Sequence, residues 1–282
     1  MSASENPEHG KLRAAIMAGM ETGQHIAALL REGQLLASAA ERAGLGAEVL
    51  PCSPWQVRDL LRHTGYVHRW AAGYVAEQYA EYQPDEPSET EILGGGPPDS
   101  ELIGWFRAGH AALVQTLTDA DPALVCWTVT PGPSSLAAWA RRQAHETAIH
   151  RVDAELAGSG QVTPFPADFA VDGIDELIMG MFGRDGAGLT AAQRDVQGSV
   201  IQVLATDDGA DPAWLVELTA DGTRAANVSR GQGPADCSLA GPASGLYQLL
   251  WNRCDPATAG VTVTGDAAVL QAWRDGMHVT WS

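Results

Sequence analysis

The chain has 282 residues, 45% hydrophobic and 18% charged, which is enough apolar material for a buried core and too little charge for a disordered chain. Seventeen basic residues stand against 35 acidic ones, a net charge of −18. That balance argues against nucleic acid and anionic membranes as partners, because both need a basic face.

The first ten residues are polar, with no apolar leader, and no stretch approaches the length of a membrane span. The expectation is a cytoplasmic protein with an acidic surface and neither membrane nor nucleic acid as partner. The four cysteines (Cys52, Cys126, Cys237 and Cys254) show no C-x-x-C spacing, so they are read as reduced, several of them as packing residues.

Length alone suggests two domains, at about 150 residues each. Residues 11–43 carry Leu12, Ile16, Met20, Ile26, Leu29, Leu30, Leu35 and Leu36 at a near-helical period, ended by Gly44 and Gly46. A second helix is expected from Ser53 as cap and Pro54 as first residue, running through Val57, Leu60, Leu61, Val67 and Trp70 to about Tyr82. Residues 83–99 combine acidic residues, prolines and a triple glycine and read as a long solvated loop, of a length that suits a lid.

A third helix spans roughly 100–119, with Leu102, Trp105, Phe106, Leu113 and Leu117 on one side. Ser134 or Ser135, after the Pro-Gly-Pro turn at 131–133, caps a fourth over about 136–157. Four such helices make an antiparallel bundle, whose interior is where facing side chains build metal sites.

The Gly/Pro-rich segment 158–167 reads as a linker. It divides a bundle domain, 1–160, from a C-terminal domain, 161–282. The second part is expected to hold a helix over 171–182 and strands at 198–205, 213–219, 224–229 and 235–240. A helix at 242–252, a strand at 261–264, a helix over 266–274 and a strand near 277–281 complete a smaller α+β domain.

The densest chemistry lies in the fourth helix, in the run from Arg141 to Asp153. His145 and His150 are five apart, a rotation of about 140° on a 3.6-residue helix, so they cannot share a metal as a zincin pair does. Glu146 and His150, four apart, lie one turn over the other and can. A carboxylate with an imidazole suits zinc first, or nickel or iron. A third ligand must come from another helix, and His63 and His68 are both available on the second.

Spacing alone does not make this a self-sufficient motif, since an i,i+4 Glu–His pair is more often an exposed helix pair. Arg142 and Arg151 are expected on the exposed face, as most arginines are. Asp153 reads as a salt-bridge partner or a group behind the ligands. His25 and His110, and the tryptophans Trp55, Trp70, Trp105 and Trp139, read as packing.

The pattern Trp55-x-Val57-x-Asp59-Leu60-x-x-His63, then His68-Arg69-Trp70, then Arg141-Arg142-x-x-His145-Glu146-x-x-x-His150-Arg151-x-Asp153-x-Glu155, resembles the mycothiol-dependent maleylpyruvate isomerase family of the DinB-like superfamily. Gly241-Pro242-Ala243, Leu246, Leu249-Leu250, Arg253 and Val261-x-Val263-x-Gly265-Asp266 resemble its C-terminal part. The resemblance implies a DinB-like four-helix bundle with a smaller C-terminal α/β domain. It implies a divalent metal on His63, Glu146 and His150, and a low-molecular-weight thiol such as mycothiol as co-reactant. It also implies that Arg253 contacts the thiol or the substrate. Thr64-Gly65 after His63 departs from the family pattern, where an apolar residue is expected first.

The function so implied is a metal-dependent enzyme that uses the thiol on an electrophilic small molecule. Addition, rotation and elimination would make it a cis/trans isomerase; addition alone would make it an S-transferase. The rivals are a metabolite-sequestering protein with a structural metal or none, and a metal–water hydrolase or Lewis-acid enzyme.

Overall fold

A computed structural model describes residues 19–83, 87–182, 195–207, 212–218 and 226–276. The chain divides into two compact units, one running Glu21–Thr163 and the other beginning at Pro164.

In the N-terminal unit, α1 (Thr22–Ala43), α2 (Val57–Glu77), α4 (Asp99–Asp119) and α5 (Ser135–Gly158) form the bundle, and a short α3 (Glu89–Gly94) lies between α2 and α4 in sequence. Helix α1 packs on α4 and α5, and α2 packs on the same two, so the four close a ring. Leu36, Ala40, Val57, Leu60, Leu61, Leu102, Phe106 and Ala154 fill one end of it.

The ends of α1 and α5 follow their caps. Gly44 stops α1 at φ 81°, a conformation open to glycine. Ser134 accepts the Ala137 amide at the start of α5.

Two expectations are corrected. Helix α2 starts at Val57, not at Pro54: a 3-10 turn occupies Leu50–Cys52 and the Ser53–Pro54 peptide is cis. Residues 55–57 pair instead with 47–49, through Val49 N–H to Trp55 O (2.9 Å) and Val57 N–H to Ala47 O (2.9 Å). Gln56 then caps the helix, with Asp59 accepting its amide at 2.9 Å.

The 83–99 segment is not all loop. Ser88 and Glu91 form a reciprocal capping box that nucleates α3, and Arg62 of α2 donates to the Leu93 carbonyl at 3.2 Å. The Ser-x-x-Glu signature was visible, but the surrounding glycines and prolines masked it.

Gly65 is explained by the α2–α4 contact. A Cβ there would fall 2.2 Å from the Trp105 ring, and one on Gly109 would meet the Arg69 guanidinium. Arg69 lies over Trp105 at 3.8 Å and donates to the carbonyls of Gly65 and Trp105, both at 2.7 Å. Two glycines thus let a stacked Arg–Trp pair hold the helices close. Thr64 is buried and returns its hydroxyl to Leu60 O at 2.8 Å.

The C-terminal unit opens with α6 (Ala167–Asp175), which continues as a wider π-helical segment to Phe182. Strands β1 (Val200–Ala205), β2 (Ala213–Leu218), β3 (Ala226–Arg230), β4 (Cys237–Gly241) and β5 (Thr262–Gly265) form one sheet in the order β3-β2-β1-β4-β5. Strands β1 and β4 run parallel and every other pair antiparallel. Burial alternates along β1 and β4, and α7 (Ala243–Leu250) and α9 (Ala267–Gly276) pack on those two strands. A four-residue α8 (Pro256–Ala259) joins α7 to β5. The strand expected at 277–281 lies outside the described residues. The fold is therefore a helical bundle followed by a smaller mixed α/β domain.

Replacing Gly65 by alanine forces Trp105 out of its seat. Urea unfolding is expected to show a loss of about 1–3 kcal/mol, the usual cost of overpacking a filled interface.

Candidate metal centre

Helix α5 is polar in sequence, yet its residues from Leu136 to Glu155 are buried except for Ala137 and Arg141. Such a helix is stable only if its charges find partners within the fold. Arg142 and Arg151, expected at the surface, are 1% and 0% exposed. Arg151 donates to Glu32 of α1 (2.8 Å), to Glu155 (2.7 Å) and to the Thr163 carbonyl (2.6 Å). Arg142 donates to Glu146 Oε2 at 2.7 Å. Spacing shows that Arg142 sits one turn before Glu146, but only the fold shows that this face is inside.

Glu146 is the centre of the arrangement. With Oε2 held by Arg142, its Oε1 faces two imidazoles, His63 Nε2 at 3.3 Å and His150 Nε2 at 3.1 Å. One donor atom from each of His63, Glu146 and His150 lies within 4.8 Å of the others, and all three residues are buried. The structure thus brings together, from α2 and α5, the three residues expected as a set.

His150 Nδ1 pairs with Asp153 Oδ2 at 2.9 Å, which leaves Nε2 as the atom directed at the cluster. Trp55 closes one side, its ring 4.9 Å from His63 and 6.3 Å from His150.

His145 is buried on another side of α5, with its ring 6.0 Å from His25. His68 does not face solvent: it is fully buried and shares a 2.9 Å hydrogen bond between Nε2 and Thr147 Oγ1. His25 and His110 are also buried, and His110 Nε2 meets the Leu29 carbonyl at 2.9 Å. Trp70 and Trp139 pack in an aromatic cluster with Tyr74 and Trp127.

Sequence reasoning missed Cys52. None of the four cysteines forms a disulfide, and Cys52 Sγ lies 3.4 Å from Asp153 Oδ2, so that Cys52, Asp153 and His150 form a second close group. The signal was absent because 101 residues separate Cys52 from Asp153. Arg253 belongs to the C-terminal unit, just after α7, where its guanidinium donates to the Trp251 carbonyl at 2.7 Å.

Electrostatics follow from burial and pairing. Burial alone would neutralise both members of the Glu146–His150 pair. It is outweighed for Glu146 by His150, His63 and Arg142, which hold the carboxyl well below its ordinary range. For His150 it is outweighed by Glu146 and Asp153, which push the imidazole up to about 9. His68 goes the other way: burial, reinforced by His110, lowers it well below the ordinary 6.5. Burial lowers His110 as well.

The N-terminal half matches the family model for the mycothiol maleylpyruvate isomerase N-terminal domain over residues 26–155. The MDMPI C-terminal domain matches over residues 168–272. The chain belongs to the mycothiol-dependent maleylpyruvate isomerase family.

Two crystal structures of the mycothiol-dependent maleylpyruvate isomerase share its fold. A histidine-to-alanine variant aligns with a TM-score of 0.59 at 14% identity, covering 87% of this chain and 93% of that one. Another crystal structure of that isomerase aligns with a TM-score of 0.56 at 12% identity and the same coverage. No curated protein matches the chain significantly in sequence. No helix among the described residues is long and apolar enough to cross a membrane.

The shifts predict a stability optimum for the chelator-treated chain. A raised His150 contributes in full below pH 6.5, and that contribution is lost as pH rises through about 9. Lowered His68 and His110 contribute above 6.5 and lose stability as pH falls below it; lowered Glu146 adds a further loss below 4.5. Urea unfolding across pH is therefore expected to show a maximum near pH 6.5. His150→Gln should flatten its alkaline limb and His68→Gln the upper part of its acid limb.

Proposed function

We propose that the chain is a divalent-metal, thiol-dependent isomerase of electrophilic unsaturated small molecules, with His63, Glu146 and His150 as the metal's protein ligands. The observation that carries this reading is the convergence of two imidazole Nε2 atoms on one carboxylate oxygen inside the bundle of a family named for thiol-dependent isomerisation.

The donor set fits a metal. Two neutral-capable imidazoles and a carboxylate suit zinc, with nickel or iron as alternatives, and three protein ligands leave a coordination position free. A bound divalent ion would supply a Lewis acid that lowers the pKa of a thiol beside it.

The chain's own residues do the rest. Asp153 fixes the His150 tautomer and ring direction. Arg142 occupies one oxygen of Glu146, so the other is presented at a fixed angle. Trp55 and the buried helix faces keep bulk water from the imidazoles.

In the reaction proposed, the sulfur of the thiol adds to one carbon of an activated cis double bond, and the electron pair moves onto the conjugated carbonyl. The former double bond rotates, and the returning electron pair expels the thiolate to leave the trans isomer. The thiol is regenerated and no oxidant is consumed. Arg253, carried over from the family resemblance, is proposed to hold an anionic group of the thiol or the substrate. Proposed partners are therefore a low-molecular-weight thiol, mycothiol or a close relative, and a small unsaturated keto acid.

Metal analysis of the purified protein is expected to find about one divalent ion per chain. His63→Ala should lose it with little change in far-UV circular dichroism, because the bundle core lies elsewhere. Retained metal in that variant, or its loss in His68→Ala, would overturn the ligand set. Asp153→Ala should weaken metal affinity by about 10–100-fold while leaving the ligands in place. Turnover of a cis-unsaturated keto acid should require added thiol; unchanged turnover without it rules out the thiol step.

A further inference from the structure

Gln143 is fully buried in α5, and among the described residues neither its Oε1 nor its Nε2 has a hydrogen-bond partner. A carboxamide removed from water with donor and acceptor both unmet is costly. Its position is not arbitrary. On a 3.6-residue helix it is rotated about 60° from Glu146 and about 20° from His150, so it stands on the stripe that carries both, one turn nearer the N-terminus. The axial step to Glu146 is about 4.5 Å, within the span of a small molecule.

The other buried polar side chains on this face each have at least one partner: Arg142 has Glu146, Thr147 has His68, Arg151 has Glu32 and Asp153 has His150. Among the described residues, Gln143 is a side chain on the Glu146–His150 stripe whose donor and acceptor are both unanswered.

We propose that the Gln143 carboxamide anchors the small molecule that binds beside the His63–Glu146–His150 cluster. A carboxamide presents a donor and an acceptor side by side. Its complement is a ligand with an oxygen acceptor next to an O–H, as in a carboxylic acid beside a hydroxyl or an enolised 1,3-diketone. Ligand binding answers both atoms at once, so the cost held in the free protein becomes selectivity for molecules that carry this pair. This inference deepens the proposed function and rests on it for the ligand's location, but it makes a separate claim about the free chain.

The test uses Gln143→Met, close in volume and apolar. In the metal-free protein its melting temperature is expected to equal or exceed that of the parent, because an unpaired amide is lost and no contact with it. With zinc loaded to the same content, calorimetric affinity for acetopyruvate is expected to fall by roughly tenfold or more. Acetopyruvate enolises as described, and with no thiol in the cell the calorimetry reads binding alone.

Gln143→Glu keeps the shape and replaces the amide donor with charge; it should weaken acetopyruvate further while retaining zinc. A lower melting temperature or failure to fold in Gln143→Met would make Gln143 a structural residue and overturn the proposal. So would unchanged acetopyruvate affinity. A parent chain that loads zinc but ignores acetopyruvate overturns the ligand class, whereas a parent that takes up no zinc overturns the metal reading itself. The melting comparison separates the two, since it needs neither metal nor ligand.

Discussion

Glu146 is a carboxylate buried at the centre of a helical bundle, and the surrounding polar architecture follows from that placement. A buried carboxylate is tolerated only when neighbouring charge and hydrogen bonds replace the water it has lost. Here one oxygen is taken by Arg142 and the other is shared by His63 and His150. His150 in turn passes its second nitrogen to Asp153, and Asp153 accepts the Cys52 thiol. Removing any one member strands the others in a medium that cannot solvate them.

The same logic runs along the length of α5. Its polar residues would be surface residues on an ordinary amphipathic helix, but α1 and α2 pack on it and cover them. Arg151 with Glu32 and Glu155 solves at one end the problem that Arg142 with Glu146 solves in the middle. Paired buried ions add little net stability over apolar packing, so their retention speaks for position and specificity more than for strength. The stability of the bundle comes instead from the apolar cluster around Leu36, Leu60, Leu61 and Phe106, and from the close α2–α4 contact at Gly65. With the stabilising core separate from the polar seam, replacing a seam residue is expected to lower stability while the bundle keeps its fold.

Much of the architecture was legible because local signals and long-range packing agree. Gly44 stops α1, Ser134 starts α5, and alternation marks β1 and β4. The misreadings share a cause, which is competition from partners distant in sequence or from an overriding composition. Ser53-Pro54 looks like a helix start, yet the following residues pair with 47–49 before the helix begins. The 83–99 segment looks breaker-rich, yet Ser88 and Glu91 satisfy each other across one helical turn. Arg142 and Arg151 carry no local mark of burial, since burial depends on which helices lie across from them.

For the candidate site, the sequence by itself determined that Glu146 and His150 share a helix face and that His145 does not, because a 3.6-residue period allows no other arrangement. Together with the family's residue pattern it also singled out His63. Only the tertiary structure decided which oxygen of Glu146 meets the imidazoles, that Asp153 and Cys52 stand behind His150, that His68 belongs to Thr147, and that Gln143 has no hydrogen-bond partner among the described residues. These depend on side chains tens of residues apart being pressed together by helix packing, and periodicity along one chain carries no record of which face of another helix lies opposite.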